Sequence, residues 1–356
     1  MGVAAGILGI GVYLPETIRR NDWWPESVVS RWREKAMHRI DRLPLPATEG
    51  VNRALAAMGK LKNDPFNGSI ERRVMTPEQW SSEMETIAAK QALEQAQIDP
   101  KEIDAVISFT FCPDYLCAPT GCVVHERLGL SSSCLTFTVE AACNTFPVQL
   151  TLADQMIRSG TIRNVLLLQS AAFSKVMPAE SPMSPWLGDG ATAVVLGPVG
   201  GGHGVISYAH GTDGSRHRAV VCGVPGKRWY EDGRIVGYSE DPAMAQAIIL
   251  GSVDRAQQII PEALGKAGFT PADVDFYACH QGVPWLREVT QEYCGLDRAR
   301  WVDTYASFAS LSAANIPLVM SIGQREGLLR NGDLVAVFSG GTGETWASVV
   351  LRWGRG

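Results

Sequence analysis

Short, almost wholly apolar runs alternate along this chain with longer stretches whose apolar positions recur every three or four residues. That alternation predicts buried strands separated by helices. Residues 3–13 read as a glycine-rich strand that ends at Leu14-Pro15. Residues 21–66 break the rhythm: they are mixed, rich in Trp and Arg and interrupted by Pro44 and Pro46, and read as an inserted helical and loop region outside the core. Ser81 to Gln97 carries an amphipathic helix (Met84, Ile87, Ala88, Ala92, Leu93), and Asp104 to Phe111 follows as a buried strand. The run from Leu135 passes through Glu140-Ala-Ala-Cys143 straight into a helical pattern that lasts to about Ser159-Gly160. Asn164–Ser170 and Leu187–Leu196 are further strands, the second turning on Gly188-Asp189-Gly190.

Pro198 to Gly204 is the most linker-like stretch and divides the chain into halves 1–199 and 200–356. The second half repeats the grammar of the first. It has a helix over about 243–267, a strand over Asp273–His280, and a helix over about 310–327. Two closing strands, Asp333–Phe338 and Thr345–Leu351, flank Gly340-Gly-Thr-Gly343. Alternation of this kind implies an α/β layered fold with a mostly parallel sheet in each half.

Of 356 residues, 46% are hydrophobic and 19% charged, which suits a compact folded chain, and the net charge of −5 argues against nucleic-acid and anionic-membrane partners. No apolar run reaches the roughly 18 residues of a membrane span. The N-terminus lacks the basic region of a signal peptide and reads as a first strand. The eight cysteines include no CxxC pair, and the spacing of Cys112, Cys117 and Cys122 suits packing better than zinc. Reduced thiols and a cytoplasmic enzyme without metal or redox cofactor are expected.

Two residues stand out chemically. Cys143 sits at a strand-to-helix turn, where the helix dipole would favour thiolate. His280 ends a buried strand and would point beyond the sheet edge. His38, His203, His210 and His217 fall in polar, loop-like stretches and read as solvated, while His125 reads as a surface or helix-capping residue.

Five blocks, in order and over nearly the whole chain, resemble the β-ketoacyl-ACP synthase III family of the thiolase superfamily. Gly9-Ile-Gly-Val-Tyr-Leu-Pro-Glu16 is similar to its G-x-Y-L-P, and Asn67-Gly-Ser-Ile-Glu-Arg-Arg73 to its T-G-I-x-x-R-R. Glu140-Ala-Ala-Cys143 stands at its nucleophile turn, and Gly188-Asp-Gly-Ala-Thr-Ala-Val-Val195 resembles its G-D-G-A-A-A-x-V. Gly340-Gly-Thr-Gly-Glu-Thr-Trp346 resembles its glycine loop followed by T-W. The resemblance implies a thiolase fold, two βαβαβ-type halves in five α-β-α-β-α layers, and a homodimer. It implies acyl-CoA or an acyl carrier protein as thioester donor, with the acyl group carried on Cys143. Backbone N–H groups at Cys143 and in the loop of Gly340, Gly341 and Gly343 would form the oxyanion hole.

The family's catalytic set is Cys, His and Asn. His280 lies where the family has H-Q-A-N, although the second asparagine of that tetrad is Val283 here. Against the family's G-N-T-S-A-A-S-I-P, the segment Ala309-Ser-Leu-Ser-Ala-Ala-Asn-Ile-Pro317 puts Ser310 at the catalytic asparagine and Asn315 at a serine. A serine hydroxyl is not a fixed amide donor, and losing one preorganised donor costs roughly 100- to 1000-fold. Loading of Cys143 would survive this change while decarboxylative condensation would suffer. The implied activity is therefore acyl transfer to a hydroxyl, amine or carbon acceptor, in polyketide or other specialised metabolism, with His280 as base and Ser310 orienting it or standing in for the amide. The rivals are a decarboxylative synthase using Ser310, Asn315 or water as second donor, and a non-catalytic partner of a heterodimeric synthase. Ala118 falls where a partner subunit's bulky residue would enter the acyl pocket, and Ala118 and Asn315 are expected to line that pocket.

Overall fold

The computed structural model describes residues 3–37 and 48–355; His38, Pro44 and Pro46 lie outside them. Nine strands form the two main sheets. The first holds β1 (Ala4–Tyr13), β2 (Ala105–Thr110), β3 (Leu135–Thr138), β4 (Val165–Ala172) and β5 (Asp189–Val199) in the order β1-β5-β4-β2-β3. The second holds β6 (Gly204–Thr212), β7 (Phe276–Cys279), β8 (Leu334–Gly341) and β9 (Thr345–Arg352) in the order β7-β8-β9-β6. Seven helices matter here: α1 (Glu26–Met37), α2 (Glu49–Lys60), α3 (Ser81–Ala96), α4 (Thr120–Leu128), α5 (Thr145–Arg158), α6 (Pro242–Lys266) and α7 (Asn315–Arg325).

The sheets are mixed, not mostly parallel. β2 runs parallel to β3 and β4, and β7 parallel to β8, but β5 is antiparallel to β1 and β4, and β9 to β6 and β8. The reason is local. β8 and β9 are joined by a tight glycine hairpin, and no long helix separates β4 from β5, so neither pair has the crossover that a parallel arrangement needs.

Why the strands read as unbroken apolar runs is plain from their two faces. Val165 and Leu167 of β4 join the core between the sheets, with Phe146 and Leu150 of α5 and Leu318 and Val319 of α7. Leu166 and Leu168, one residue out of phase, pack outward against Met84, Ala88 and Ala92 of α3. In the second sheet Val335 and Val337 face inward, while Ala336 and Phe338 pack with Ile259, Ile260 and Ala263 of α6. With both faces covered there is no polar alternation to preserve. The layers run α3/α4, first sheet, α5/α7, second sheet, α6, so α5 and α7 share the buried central layer.

The 21–66 region is more than a surface excursion. Trp24, Val28, Val29 and Trp32 form a small core with Phe66, and the indole N–H groups of Trp24 and Trp32 donate to the carbonyls of Ala179 and Glu180, both at 2.9 Å. Val51, Ala54 and Ala57 of α2 pack on Leu250 and Val253 of α6. Arg72 is buried beside this core without a carboxylate. Its guanidinium donates to the carbonyls of Pro185 and Arg19, to Asn21 Oδ1 and to Ser69 Oγ, and lies 4.9 Å from the Trp24 ring centre. Desolvation pushes its pKa down to about 10.

Glu85 of α3 is a second buried charge-bearing group. Its Oε1 accepts from Thr110 and Ser170, and its Oε2 has no partner among the described residues. Burial, with Asp114 adding to it against those two hydroxyls, raises its pKa from 4.5 to about 7. A carboxyl whose folded pKa is raised binds its proton more tightly when native, so stability is lost as pH rises through about 4.5 to 7. Glu85→Gln should therefore gain on wild type by about 2.5 kcal/mol in urea unfolding between pH 5 and pH 8. A difference that does not change with pH would show that Glu85 is not protonated in the native state.

Candidate active site

The two helices of the central layer begin in matching turns. Ahead of α5, Ala142 is held at φ +50° and starts the short 3-10 turn Ala142–Asn144 that carries Cys143. Ahead of α7, Ser312 is held at φ +51° and starts the 3-10 turn Ser312–Ala314. A left-handed non-glycine residue costs about 1 kcal/mol or more and persists only where its surroundings fix it. The first turn is fixed by Glu140 Oε1, which accepts from Ala142 N–H at 2.7 Å, and by Thr145 Oγ1, which accepts from Ala141 N–H and donates to the Ala142 carbonyl.

The glycine hairpin closes over the Cys143 turn. Ser339 Oγ donates to the Cys143 carbonyl at 2.8 Å, and Asn144 Nδ2 donates to Thr345 Oγ1 at 3.3 Å. Gly341 must lack a side chain, because a Cβ there would stand 2.6 Å from the Ala141 carbonyl oxygen and 3.0 Å from Asn144 N. Gly343 sits at φ +133°, whereas the missing side chain of Gly340 leaves only open contact. At the end of the hairpin's loop, buried Glu344 pairs with Arg216 at 2.7 Å and with Arg255 of α6 at 3.7 Å, which ties the loop to that helix.

On the second elbow, Ser312 Oγ donates to Cys143 Sγ at 3.5 Å. Ser310 is buried and its hydroxyl accepts from Ser312 N–H at 3.4 Å. Its backbone is locked in a short bridge, Ser310 N–H to the Trp186 carbonyl and Gly188 N–H to the Ser310 carbonyl. His280 follows β7, and its N–H donates to the Phe338 carbonyl. The imidazole is 5% exposed, and Nδ1 has no partner among the described residues.

Asn315 does not line a pocket. It is 0% exposed; its Oδ1 accepts from Gln281 N–H at 2.7 Å and its Nδ2 donates to Thr304 Oγ1 at 3.0 Å. Gln281 is fastened in turn by Val302, Thr304 and Tyr305, so this amide clamps the chain that carries His280. Ala118 stands on the surface of the chain, near Tyr115 (60% exposed) and Leu116 (69%), rather than in the cluster around Cys143. Cys117 and Cys122 are exposed, so packing does not account for them. His210 lies on β6, not in a loop, and meets Thr151 Oγ1; the His125 ring contacts the Ser131 carbonyl just past α4. Ser312 was the residue missed. It stands inside the S-A-A block used to place its neighbours, and nothing in the sequence marks that its backbone turns left-handed.

Burial decides the charge state. Desolvation raises the Cys143 thiol above its ordinary 9.0, against the Ser312 hydrogen bond, and lowers His280 to about 4, against a backbone hydrogen bond with Ser312. The expected thiolate is thus replaced by a neutral thiol, and the imidazole is neutral too, because loss of water outweighs the dipole of a helix that opens with a 3-10 turn. A neutral thiol needs a base to take its proton as the sulfur attacks, and an imidazole held neutral has the chemistry to act as one.

Residues 137–214 match the family model of 3-oxoacyl-[acyl-carrier-protein] synthase III, and residues 264–353 match the model of its C-terminal part. The β-ketoacyl-[acyl-carrier-protein] synthase III 1 of Bacillus cereus is 30% identical over 351 residues, which cover 98% of this chain and 99% of the relative. The chain belongs to the β-ketoacyl-[acyl-carrier-protein] synthase III family. A second synthase III, from Caldanaerobacter subterraneus, is 28% identical over 99% of both chains. The solved 3-oxoacyl-(acyl carrier protein) synthase III of Pseudomonas aeruginosa superposes at a TM-score of 0.77 with 25% identity over 98% of both chains. The priming β-ketosynthase of the R1128 polyketide pathway shares the fold at 0.81, with 22% identity over 100% of this chain and 98% of its own. The five layers are thus the thiolase-like fold of synthase III, and no helix among the described residues is long and apolar enough to cross a membrane.

Two outcomes follow for this synthase III site. Site-resolved alkylation of Cys143 by iodoacetamide should keep rising through about pH 9, since no imidazolium is present to hold a thiolate; a plateau between about pH 5 and 8 would mean an ion pair. Gly341→Ala should cost about 1–3 kcal/mol in thermal or urea unfolding and slow Cys143 modification, because the added methyl meets fixed backbone. Unchanged stability and reactivity would show that the hairpin is free to move.

Proposed function

We propose that this chain is a ketosynthase III-type acyltransferase that loads an acyl group onto Cys143 and passes it on without decarboxylation. The acceptor is a hydroxyl, amine or carbon nucleophile, and the setting is polyketide or other specialised metabolism. The single observation that carries this reading is Ser310. At the family's asparagine position, its hydroxyl is turned to the Ser312 backbone. The nearby amide of Asn315 is occupied by Gln281 and Thr304, which leaves it no free hand as a substitute donor.

In loading, Cys143 Sγ attacks the thioester carbonyl of an acyl-CoA or acyl carrier protein as its proton passes to His280. The oxyanion is met by the Cys143 N–H and the glycine loop. Collapse breaks the bond to the departing sulfur, which takes the proton from His280. In discharge His280 removes the acceptor's proton as the acceptor attacks the acyl group, the Cys143 thiolate leaves, and the proton returns to it. With a hydroxyl or amine acceptor, neither half-reaction forms the enolate that a second donor would stabilise. A homodimer is the proposed working form.

Intact-protein mass after incubation with acyl- and malonyl-thioesters tests the reading. Wild type should carry acyl and intact malonyl adducts that Cys143→Ala lacks, and Ser310→Asn should release carbon dioxide from malonyl at least about tenfold faster than wild type. Wild type that converts its malonyl adduct to acetyl as fast as Ser310→Asn would instead be a decarboxylative synthase. No adduct from any donor would make it a non-catalytic partner subunit.

A further inference from the structure

Ser312 is joined to two of the residues on which the site reading depends, Cys143 and Ser310. Its side-chain hydroxyl donates to Cys143 Sγ at 3.5 Å, and its N–H donates to Ser310 Oγ at 3.4 Å. It is 2% exposed, so no bulk water competes for its hydroxyl. Its left-handed backbone fixes the direction of the side chain, and it holds in the second elbow the place that Ala142 holds in the first. A Cβ at Ala142 bears nothing that can bond; at Ser312 the same position in the turn carries a donor aimed at the other elbow's sulfur.

We propose that Ser312 is a catalytic residue whose hydroxyl stabilises negative charge on Cys143 Sγ as that charge develops. The inference rests on the reading of Cys143 as the nucleophile. In loading, the hydroxyl supports the sulfur as its proton leaves for His280 and the S–C bond forms. In discharge, that bond breaks and its electron pair returns to sulfur, where the Ser312 O–H meets it until the proton comes back. Nothing is oxidised or reduced, and the hydroxyl keeps its own proton throughout. The need is set by burial. His280 starts neutral and becomes a cation only as it takes the proton, so the sulfur needs a donor already in place, because a buried charge without a hydrogen-bond partner is strongly disfavoured. Ser310 cannot serve, since its hydroxyl faces the backbone of 312.

Two variants separate the hydroxyl from the backbone. Ser312→Gly removes the hydroxyl and accepts the left-handed φ without strain, so its melting temperature should match or exceed wild type. Ser312→Ala removes the hydroxyl and keeps the Cβ. The readout is the pH profile of iodoacetamide alkylation at Cys143, followed on its own peptide because Cys117, Cys122 and Cys222 are exposed and will also react. Both variants should alkylate about tenfold more slowly than wild type at one pH, the profile moving upward by about one unit. Superimposable profiles would overturn the proposal. So would a shift in Ser312→Ala alone, which would assign the effect to backbone strain. If Ser312→Ala does not fold, Ser312→Gly decides by itself. Alkylation needs no acyl donor, so a failure of the acyl-transfer reading shows in the mass adducts and a failure of this one in the alkylation profile.

Discussion

The constraint on which the site depends is the pair of left-handed turns through which the chain enters its two central helices. A helix packed between two sheets has no room to shift its first turn, and in each half the entering residue is a non-glycine held at positive φ. With both turns fixed, the side chains one residue apart on opposite elbows meet at a set distance. The hairpin of the second sheet, free of a side chain at Gly341, then lies against the first elbow. The reactive atoms owe their positions to the packing of two domain-sized layers, not to a flexible loop, which is the situation in which preorganised electrostatics are strongest.

The same packing sets the chemistry. Placing Cys143 and His280 where water is scarce disfavours the charged form of each, so the thiol keeps its proton and the imidazole stays neutral. Polar groups around the pair are used up by the scaffold: Asn315 on Gln281, Ser339 on the Cys143 carbonyl, Asn144 on Thr345. Very few side-chain donors are left facing the sulfur, and Ser312 is the one the geometry supplies.

Much of this was legible in the sequence. The buried strands announced themselves as apolar runs because both faces of each sheet are covered, and the helix after Cys143 and the strand before His280 were plain from their periods. Strand direction was not legible, since the same run serves a parallel or an antiparallel neighbour and only the length of the connection decides. The Trp- and Arg-rich stretch after residue 20 looked peripheral because its apolar residues do not join the main core; they make a separate one with Phe66. Asn315 was misjudged for a related reason. An amide beside a catalytic motif reads as a ligand group, and only its hydrogen bonds to Gln281 and Thr304 show it to be a strut. Ser312 was hidden because a conformational exception, not a residue type, is what aims it.

Arg72 adds a consequence for how such a chain can change over time. Its guanidinium is held by carbonyls and neutral oxygens drawn from four residues, Arg19, Asn21, Ser69 and Pro185. With no anion to follow, its hydration shell is replaced piecemeal, and each supplier is required by the others. Shortening the insertion would strip away Asn21 and Trp24 and leave a cation in the interior, solvated on one side only. The Trp-rich region and the segment leading to Gly188 are therefore coupled through one cation: a change in either reaches Arg72 and, through it, the other.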